Sequence, residues 1–250
     1  MKVIKSVLIT QSKPETERSP YEDIIRKYNV KIDFFPFIHI EGIPSLDFRK
    51  ERISILDHSA VIFTSRNAVD HFFRICNESR VNIPETMKYF CVSESTACYL
   101  QRYVLYRKRK IFWGNLTFRE LMSVLKKHKG ENYLLPCTDI AQPETTGILD
   151  EHDIKYTKAP IYKTVCSDLS ELKEAKYDIL VFFSPSGVKS LLQNFPDFQQ
   201  NETRIAAFGP ATTKAVLDSG LRLDINAPVP HAPSMTTALE LYIKEANKKT

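Results

Sequence analysis

Runs of apolar residues that end in short polar loops recur along this chain. Five of them are rich in Val, Ile, Leu, Ala and Phe: SVLIT (6–10), AVIFT (60–64), YFCVS (89–93), ILVFF (179–183) and IAAFG (205–209). Continuous apolar runs of this length are typical of strands buried on both faces of a parallel sheet. Stretches with helical spacing follow them, and Ser19-Pro20 and Ser234 are residue types that begin helices. The pattern predicts an α/β fold built from strand–loop–helix units.

The same order of apolar and polar positions occurs twice. Four segments of the first half match four of the second: 30–37 with 154–161, 60–73 with 179–192, 88–100 with 204–216, and 114–125 with 232–243. Such a duplication predicts two similar domains that face each other, with the functional site between them. The chain is long enough for two cores of about 120 residues each.

The repeat leaves two ways to divide the chain into domains. A tandem division falls near residue 130. In the cyclic alternative, the middle of the chain forms one domain, and the first segment joins the last segments in the other. The extended, proline-containing segments 34–43 and 158–166 then become antiparallel connectors between the domains. The residues alone do not choose between these divisions.

Small polar residues follow four of the predicted strands. In open α/β sheets, ligands bind at the carboxyl ends of the strands, where helix N-termini offer free N–H groups to anions. The four loops are Thr64-Ser65-Arg66-Asn67, Ser93-Glu94-Ser95-Thr96, Ser184-Pro185-Ser186-Gly187 and Gly209-Pro210-Ala211-Thr212-Thr213. Helix capping accounts for any one of these loops taken alone. Four loops in two matched pairs favour a binding surface.

Charge and composition narrow the class of protein. The net charge of +5 suits a small polyanionic ligand, and we interpret the basic run 107–110 as a solvated turn rather than a nucleic-acid site. The start of the chain does not resemble a signal peptide, and the apolar runs are too short for a membrane helix, so we expect a soluble, cytoplasmic protein. The five cysteines and six histidines lack disulfide or metal-ligand spacing. We expect Cys76, Cys91 and Cys98 to be small buried residues.

Common catalytic motifs are missing from the sequence. It contains no G-x-G-x-x-G dinucleotide motif, no phosphate-binding P-loop and no G-x-S-x-G nucleophile motif. Tyr162, in the second connector, is a candidate proton donor at neutral pH. Packing of this ring between a connector and a domain is the alternative interpretation.

Several motifs together resemble the uroporphyrinogen-III synthase family, in the family's order and over nearly the whole chain. They are AVIFTSRNAV (60–69), PIYKT (160–164), FFSPSGV (182–188), AAFGPATTKAV (206–216) and APVPHAPSM (227–235). The resemblance implies two flavodoxin-like parallel-sheet domains joined by a two-stranded β-ladder, one domain inserted in the other. Domain 1 would comprise 1–36 and 167–250, domain 2 would comprise 44–157, and 37–43 and 158–166 would form the ladder.

The resemblance also implies an activity. Family members cyclise the linear tetrapyrrole hydroxymethylbilane, with inversion of ring D, to uroporphyrinogen III and water in haem biosynthesis, and they need no cofactor. Without the enzyme, the substrate closes to the type I isomer, so the protein mainly orients a reactive molecule. The partner is then this polycarboxylate substrate, with no nucleic acid or membrane, and we expect a monomer that contacts hydroxymethylbilane synthase transiently.

Residue roles follow from the same resemblance. Tyr162 would assist departure of the hydroxyl group, Thr96 and Thr212 would line the cleft, and Ser184 and Ser186 would correspond to the family's Ser-Pro-Ser loop. The four strand-end loops add the other expected substrate-binding residues, which are Thr64, Ser65, Arg66, Asn67, Ser93, Pro185, Gly187, Gly209 and Pro210. Two positions depart from the family pattern: Ala211 stands where many members have Thr, and Ser93 where many have Gly. A non-catalytic, two-domain binder of a small polyanion is the alternative function.

Overall fold

The computed structural model describes residues 3–14, 19–115, 117–139 and 143–248. The chain divides into two compact units, one formed by residues 1–39 and 165–250 and the other by residues 40–164. We call them unit 1 and unit 2.

The described residues form strands and helices that alternate along most of the chain. The strands are β1 (Ser6–Ile9), β2 (Lys31–Phe34), β3 (Ile38–Gly42), β4 (Ala60–Phe63), β5 (Lys88–Cys91), β6 (Ile111–Trp113), β7 (Tyr133–Thr138), β8 (Tyr156–Cys166), β9 (Ile179–Phe182), β10 (Arg204–Phe208) and β11 (Ile225–Ala227). The α-helices are α1 (Pro20–Tyr28), α2 (Ser45–Lys50), α3 (Arg66–Glu78), α4 (Glu94–Leu100), α5 (Phe118–Leu125), α6 (Pro143–Asp150), α7 (Pro185–Asn194), α8 (Pro210–Asp218) and α9 (Met235–Lys248).

Unit 1 is built on a five-stranded sheet in the order β11-β10-β9-β1-β2, and all neighbouring strands are parallel. Counted along the unit from β1, this is the order 2-1-3-4-5 of flavodoxin-like folds. The sheet is buried on both faces: Val7 and Ile9 pack with Leu239 of α9, whereas Leu8 packs with Val188 of α7. Burial on both faces explains the unbroken apolar runs of the sequence.

Unit 2 carries the second sheet, in the order β3-β8-β7-β4-β5-β6. The pairs β4–β5, β4–β7, β5–β6 and β7–β8 are parallel. When β7 is counted first, β8-β7-β4-β5-β6 has the same 2-1-3-4-5 order as unit 1. The predicted α/β class with two parallel sheets is therefore confirmed. The chain passes between the units within β3 and within β8, and these two strands are neighbours in the sheet.

Local sequence signals correctly predicted the starts of α1 and α9. The Ser19 hydroxyl accepts a hydrogen bond from the Tyr21 N–H, with Pro20 as the first residue of α1. Ser234 likewise accepts from the Thr237 N–H at the start of α9. Among the described residues, none of the helices combines the length and apolar character that a membrane span requires.

One packing prediction is wrong. Cys76 and Cys91 are buried, but Cys98 is exposed. The buried residues of α4 include Ala97 and Leu100, which are three apart and share one face of the helix. Cys98 lies about 100° around the helix from Ala97 and therefore outside that face.

Candidate functional site

Two of the predicted loops, one in each unit, begin their helices in the same way. Ser65, between β4 and α3, accepts a hydrogen bond from the Ala68 N–H at 3.2 Å. Ser184, between β9 and α7, accepts one from the Gly187 N–H at 3.2 Å. Each serine therefore follows the carboxyl end of a parallel strand and caps the next helix, which brings first-turn N–H groups to the loop.

The Ser93 loop between β5 and α4 is a cluster of hydroxyl groups. Ser93 Oγ accepts from the Thr96 N–H at 3.3 Å, and it lies 3.0 Å from Ser95 Oγ and 3.1 Å from Thr96 Oγ1. Ser93 and Thr96 are 7% and 4% exposed. The hydroxyls of these two residues are thus engaged with each other and mostly covered.

The fourth loop begins α8 without a side-chain cap. Gly209 has φ 87°, a backbone conformation that favours glycine, and its N–H donates to the Ala227 carbonyl. Gly209 has no capping side chain, so the N–H groups of the first turn of α8 that follow Pro210 can donate to an anion; Pro210 itself has no N–H. Thr212 is 2% exposed. It occupies the same third position of its helix as Thr96 in α4.

A positively charged group lies at the start of α3. The guanidinium of Arg66 is 5.4 Å from the ring centroid of Tyr99, within cation–π range. The Tyr99 hydroxyl donates to Asp70 at 2.9 Å, which fixes this ring from the other end. Arg66 and its neighbour Asn67 are exposed, so this loop offers a cation and an amide to a ligand. Thr64 precedes them at the end of β4.

A cavity of about 720 Å³ lies beyond β5 and β6 in unit 2. Of the predicted residues, Ser93 lines it, together with Ser95, Gly114 and Asn115. Two carboxylates also line it, those of Glu94 and Glu120. Glu120 accepts from the Thr117 N–H and hydroxyl as part of a capping box. These carboxylates disfavour an anion inside the cavity itself.

Tyr162 lies on β8 in unit 2, and its side chain is buried, with 6% exposure. Burial raises the pKa of its phenol, while hydrogen bonding from Ser65 and Thr64 lowers it. The phenol is therefore protonated at neutral pH and is associated with the loop after β4. A buried, protonated phenol is suited to donate a hydrogen bond or a proton.

Two residues of α3 that belong to none of the predicted loops contact this tyrosine or its neighbour. The rings of His71 and Tyr162 are stacked with their centroids 5.4 Å apart. Arg74 Nη2 donates to the Ile161 carbonyl at 3.0 Å. Their spacing of three residues places them on one face of α3, but it does not reveal that this face meets β8. Within the described ranges, no group of three or more His, Cys, Asp or Glu side chains is arranged to hold a metal.

Comparisons with known proteins agree with the motifs. The sequence profile of the family described as uroporphyrinogen-III synthase HemD matches residues 19–237. The uroporphyrinogen-III synthase of Saccharomyces cerevisiae is 35% identical over 68 residues, which are 26% of this chain and 25% of the yeast protein.

Solved structures share the fold. The uroporphyrinogen-III synthetase of Helicobacter pylori is 21% identical, with a TM-score of 0.61 over 97% of this chain and 100% of that chain. A mutant uroporphyrinogen III synthase from Thermus thermophilus is 14% identical, with a TM-score of 0.53 over 98% of this chain and 100% of that chain. Because the family profile matches most of the sequence, the chain belongs to the uroporphyrinogen-III synthase family.

Proposed function

We propose that this protein is a uroporphyrinogen-III synthase, a cyclising lyase of haem biosynthesis. It converts hydroxymethylbilane into uroporphyrinogen III and water, with inversion of ring D and without a cofactor. The family match over residues 19–237 carries the proposal. The two flavodoxin-like sheets support it, because they place polar helix N-termini at the strand ends where ligands of such folds bind.

Substrate binding is assigned to the helix N-termini that follow β4, β5, β9 and β10. Substrate carboxylates accept hydrogen bonds from first-turn N–H groups, and Arg66 adds a charge-assisted contact. The loop of Gly209 and Pro210 is the best suited to an anion, because no side chain caps α8. The remaining assigned residues are Thr64, Ser65, Asn67, Ser93, Thr96, Ser184, Pro185, Ser186, Gly187 and Thr212. Because Thr96 and Thr212 are buried, they contribute to substrate binding by shaping their loops.

Tyr162 is assigned the acid role. Its phenol donates a proton as the terminal C–O bond of hydroxymethylbilane breaks, so the hydroxyl leaves as water and an electrophilic azafulvene remains. Ring D then attacks this electrophile through its substituted carbon, and the spiro intermediate fragments and recloses with ring D inverted. The proton that the ring loses as it becomes aromatic again restores the phenol. The position of the phenol supports this role: it is buried on β8, it hydrogen-bonds with the loop after β4, and it carries its proton at neutral pH.

Other parts of the proposal concern the whole molecule. We assign residues 1–36 and 167–250 to one domain and 44–157 to the other, with 37–43 and 158–166 as a connecting ladder. The position of β3 beside β8 supports the ladder. The cytoplasmic location, the monomeric state and the transient contact with hydroxymethylbilane synthase belong to the same proposal.

Isomer analysis tests the function. Hydroxymethylbilane is generated by its upstream deaminase, incubated with the protein, oxidised and separated by chromatography. We expect the product to shift from type I, the isomer of unaided closure, to type III. Only type I from a folded protein would refute the synthase and favour a non-catalytic binder of polyanions, an alternative that the family match does not favour.

A further inference from the structure

Strand β8 contains an extra residue next to Tyr162. Along its parallel pairing with β7, Pro160 is opposite Cys137 and Tyr162 is opposite Thr138, so Ile161 has no partner position. Successive side chains of a regular strand point to opposite faces. Here Ile161 and Tyr162 are both buried in the cluster that includes the apolar face of α3. The bulge therefore turns the Tyr162 ring to this face.

The guanidinium of Arg74 binds the backbone at this bulge. Arg74 Nη2 donates to the Ile161 carbonyl at 3.0 Å and to the Ile43 carbonyl at 2.9 Å. The Ile43 N–H also donates to the Ile161 carbonyl, at 3.0 Å. Arg74 Nη1 donates to Glu78 at 2.8 Å, which fixes the guanidinium from the helix side. One planar group thus connects α3 to the extra residue of β8 and to the segment after β3.

Arg74 also fixes the ring that stacks on Tyr162. Its Nε donates to His71 Nδ1 at 3.2 Å. A guanidinium has no acceptor and keeps its protons, so Nδ1 is unprotonated and the neutral imidazole carries its proton on Nε2. Burial and, next, Arg74 lower the pKa of His71, against Asp70 and Glu78, which raise it. The imidazole is therefore held neutral, 5.4 Å from the Tyr162 ring.

Gly42, the last residue of β3, leaves space for this arrangement. A Cβ added there would lie 2.6 Å from the Arg74 guanidinium carbon. Such a contact is too short for any side chain, so a residue other than glycine would displace the guanidinium. Residues on β3, α3 and β8 therefore share one arrangement around Tyr162.

We propose that Arg74 and His71 are positioning residues that hold the Tyr162 phenol in the orientation in which it donates its proton. The inference rests on the proposed acid role of Tyr162. The direction of the phenol depends on the bulge, which Arg74 binds, and on the ring plane, which His71 sets. A misplacement of about 1 Å costs roughly 100-fold in rate when geometry limits a reaction. If Arg74 only tied the elements together, its loss would lower stability without acting through Tyr162.

Three variants perturb the arrangement of Arg74, His71 and Gly42 around Tyr162 in different ways. R74K keeps the charge but loses the planar set of donors, H71Q keeps a neutral polar side chain, and G42A displaces the guanidinium with every other side chain intact. We expect each to lower kcat for type III formation by about 10- to 100-fold, with KM changed less than about threefold. Combined with Y162F, each should cause no further loss beyond about twofold, because residues that act as a unit are not additive.

A matched control separates positioning from general effects of arginine loss. Arg26 on α1 also binds a glutamate one turn away, Glu22 at 3.3 Å, but is exposed. R26K should therefore leave kcat and KM unchanged. Losses that multiply fully with Y162F, or a rise in KM with unchanged kcat, would overturn the positioning role of Arg74 and His71. Thermal melts of all variants identify any that do not fold, and the milder H71Q and G42A then decide.

Nuclear magnetic resonance of ring-labelled tyrosine tests the orientation of the Tyr162 ring without measuring turnover. The Tyr162 signal is assigned as the one absent from Y162F, and its shift depends on the stacked imidazole. We expect R74K, G42A and H71Q to move this signal, and R26K to leave it in place. If the wild type makes no type III isomer, the proposed function fails, yet a moved signal still supports positioning. An unmoved signal in all three variants would refute the positioning whatever the activity.

Discussion

Replacing Tyr162 with Phe removes one hydroxyl and keeps the ring that packs under α3. The structural cost is the loss of hydrogen bonding with Ser65 and Thr64, which is worth about 1 kcal/mol for one buried bond. The catalytic cost is larger, because general acid catalysis contributes about 100- to 10,000-fold, or about 3–5 kcal/mol of transition-state stabilisation. Turnover should therefore fall far more than stability.

The spontaneous closure of the substrate provides an internal reference rate for this measurement. Unaided closure gives type I, so the ratio of type III to type I product compares the enzymatic rate with the spontaneous rate in one tube. We expect Y162F to lower the ratio by about 100-fold or more at equal enzyme concentration, while its melting temperature falls by only a few degrees, since about 1 kcal/mol shifts it by roughly 2–4 °C.

Tyr133→Phe is the matched control for this prediction. Tyr133 is fully buried in unit 2, and its hydroxyl donates to the His128 carbonyl at 3.0 Å, away from the predicted loops. Y133F loses the same atom and one hydrogen bond, so it should match Y162F in stability loss and keep the wild-type isomer ratio. A Y162F protein with the wild-type ratio, or a Y133F protein with an equal loss, would refute the acid role of Tyr162.

Three further predictions concern stability and binding. Gly114→Ala would place a Cβ 2.8 Å from a backbone nitrogen of α5 and should destabilise the protein by about 1–3 kcal/mol. Gly147 lies in open space within α6, so Gly147→Ala should stabilise the protein by about 1 kcal/mol. Thermal melts measure both effects. Ser184 and Ser186, replaced together by Ala, should weaken substrate binding more than turnover at saturation, and an unchanged KM would make the contacts of that loop minor. The pKa of His71 is lower in the folded protein than in the unfolded chain, so the unfolded chain binds more protons at acidic pH. The free energy of unfolding should therefore fall as the pH drops below about 6.5 and on through the folded pKa. H71Q should flatten this fall, and identical pH profiles of the two proteins would contradict the prediction.

The fold could be predicted from the sequence because its signals are local. The run Ile179–Phe182 is apolar at every position, as is typical of a strand buried on both faces of a sheet, and it is β9. Ser19 with Pro20 predicts the start of α1 from residue type alone. The exposure of Cys98 could not be predicted from an apolar composition, because it depends on which face of α4 meets the sheet.

The candidate site could be predicted only in part. Ser65 and Ser184 follow strands that the sequence marks, so the position of their loops follows from strand order. The contacts of Tyr162 do not follow from any local pattern. They depend on one extra residue in β8 and on the register of α3 against segments about 30 and 90 residues away along the chain. A sequence pattern of apolar and polar positions does not carry that register.

The two copies of the repeat differ at the positions of His71 and Arg74. With Ser65 aligned on Ser184, His71 corresponds to Ser190 and Arg74 to Gln193, so unit 1 lacks both side chains. In unit 1 it is Asn194 of α7 that fixes the chain after β8: its side-chain amide donates to the Ser167 carbonyl at 2.9 Å and accepts from the Leu169 N–H at 3.1 Å.

Both copies therefore use the helix after the third strand of the sheet to fix a neighbouring backbone segment. Unit 1 does so with a neutral amide. Unit 2 uses a guanidinium and a neutral imidazole, and the segment it fixes ends at Tyr162. Fixing the backbone alone needs only the amide, so the extra groups of unit 2 require another reason. Orientation of the Tyr162 phenol, which we propose as the acid, supplies that reason.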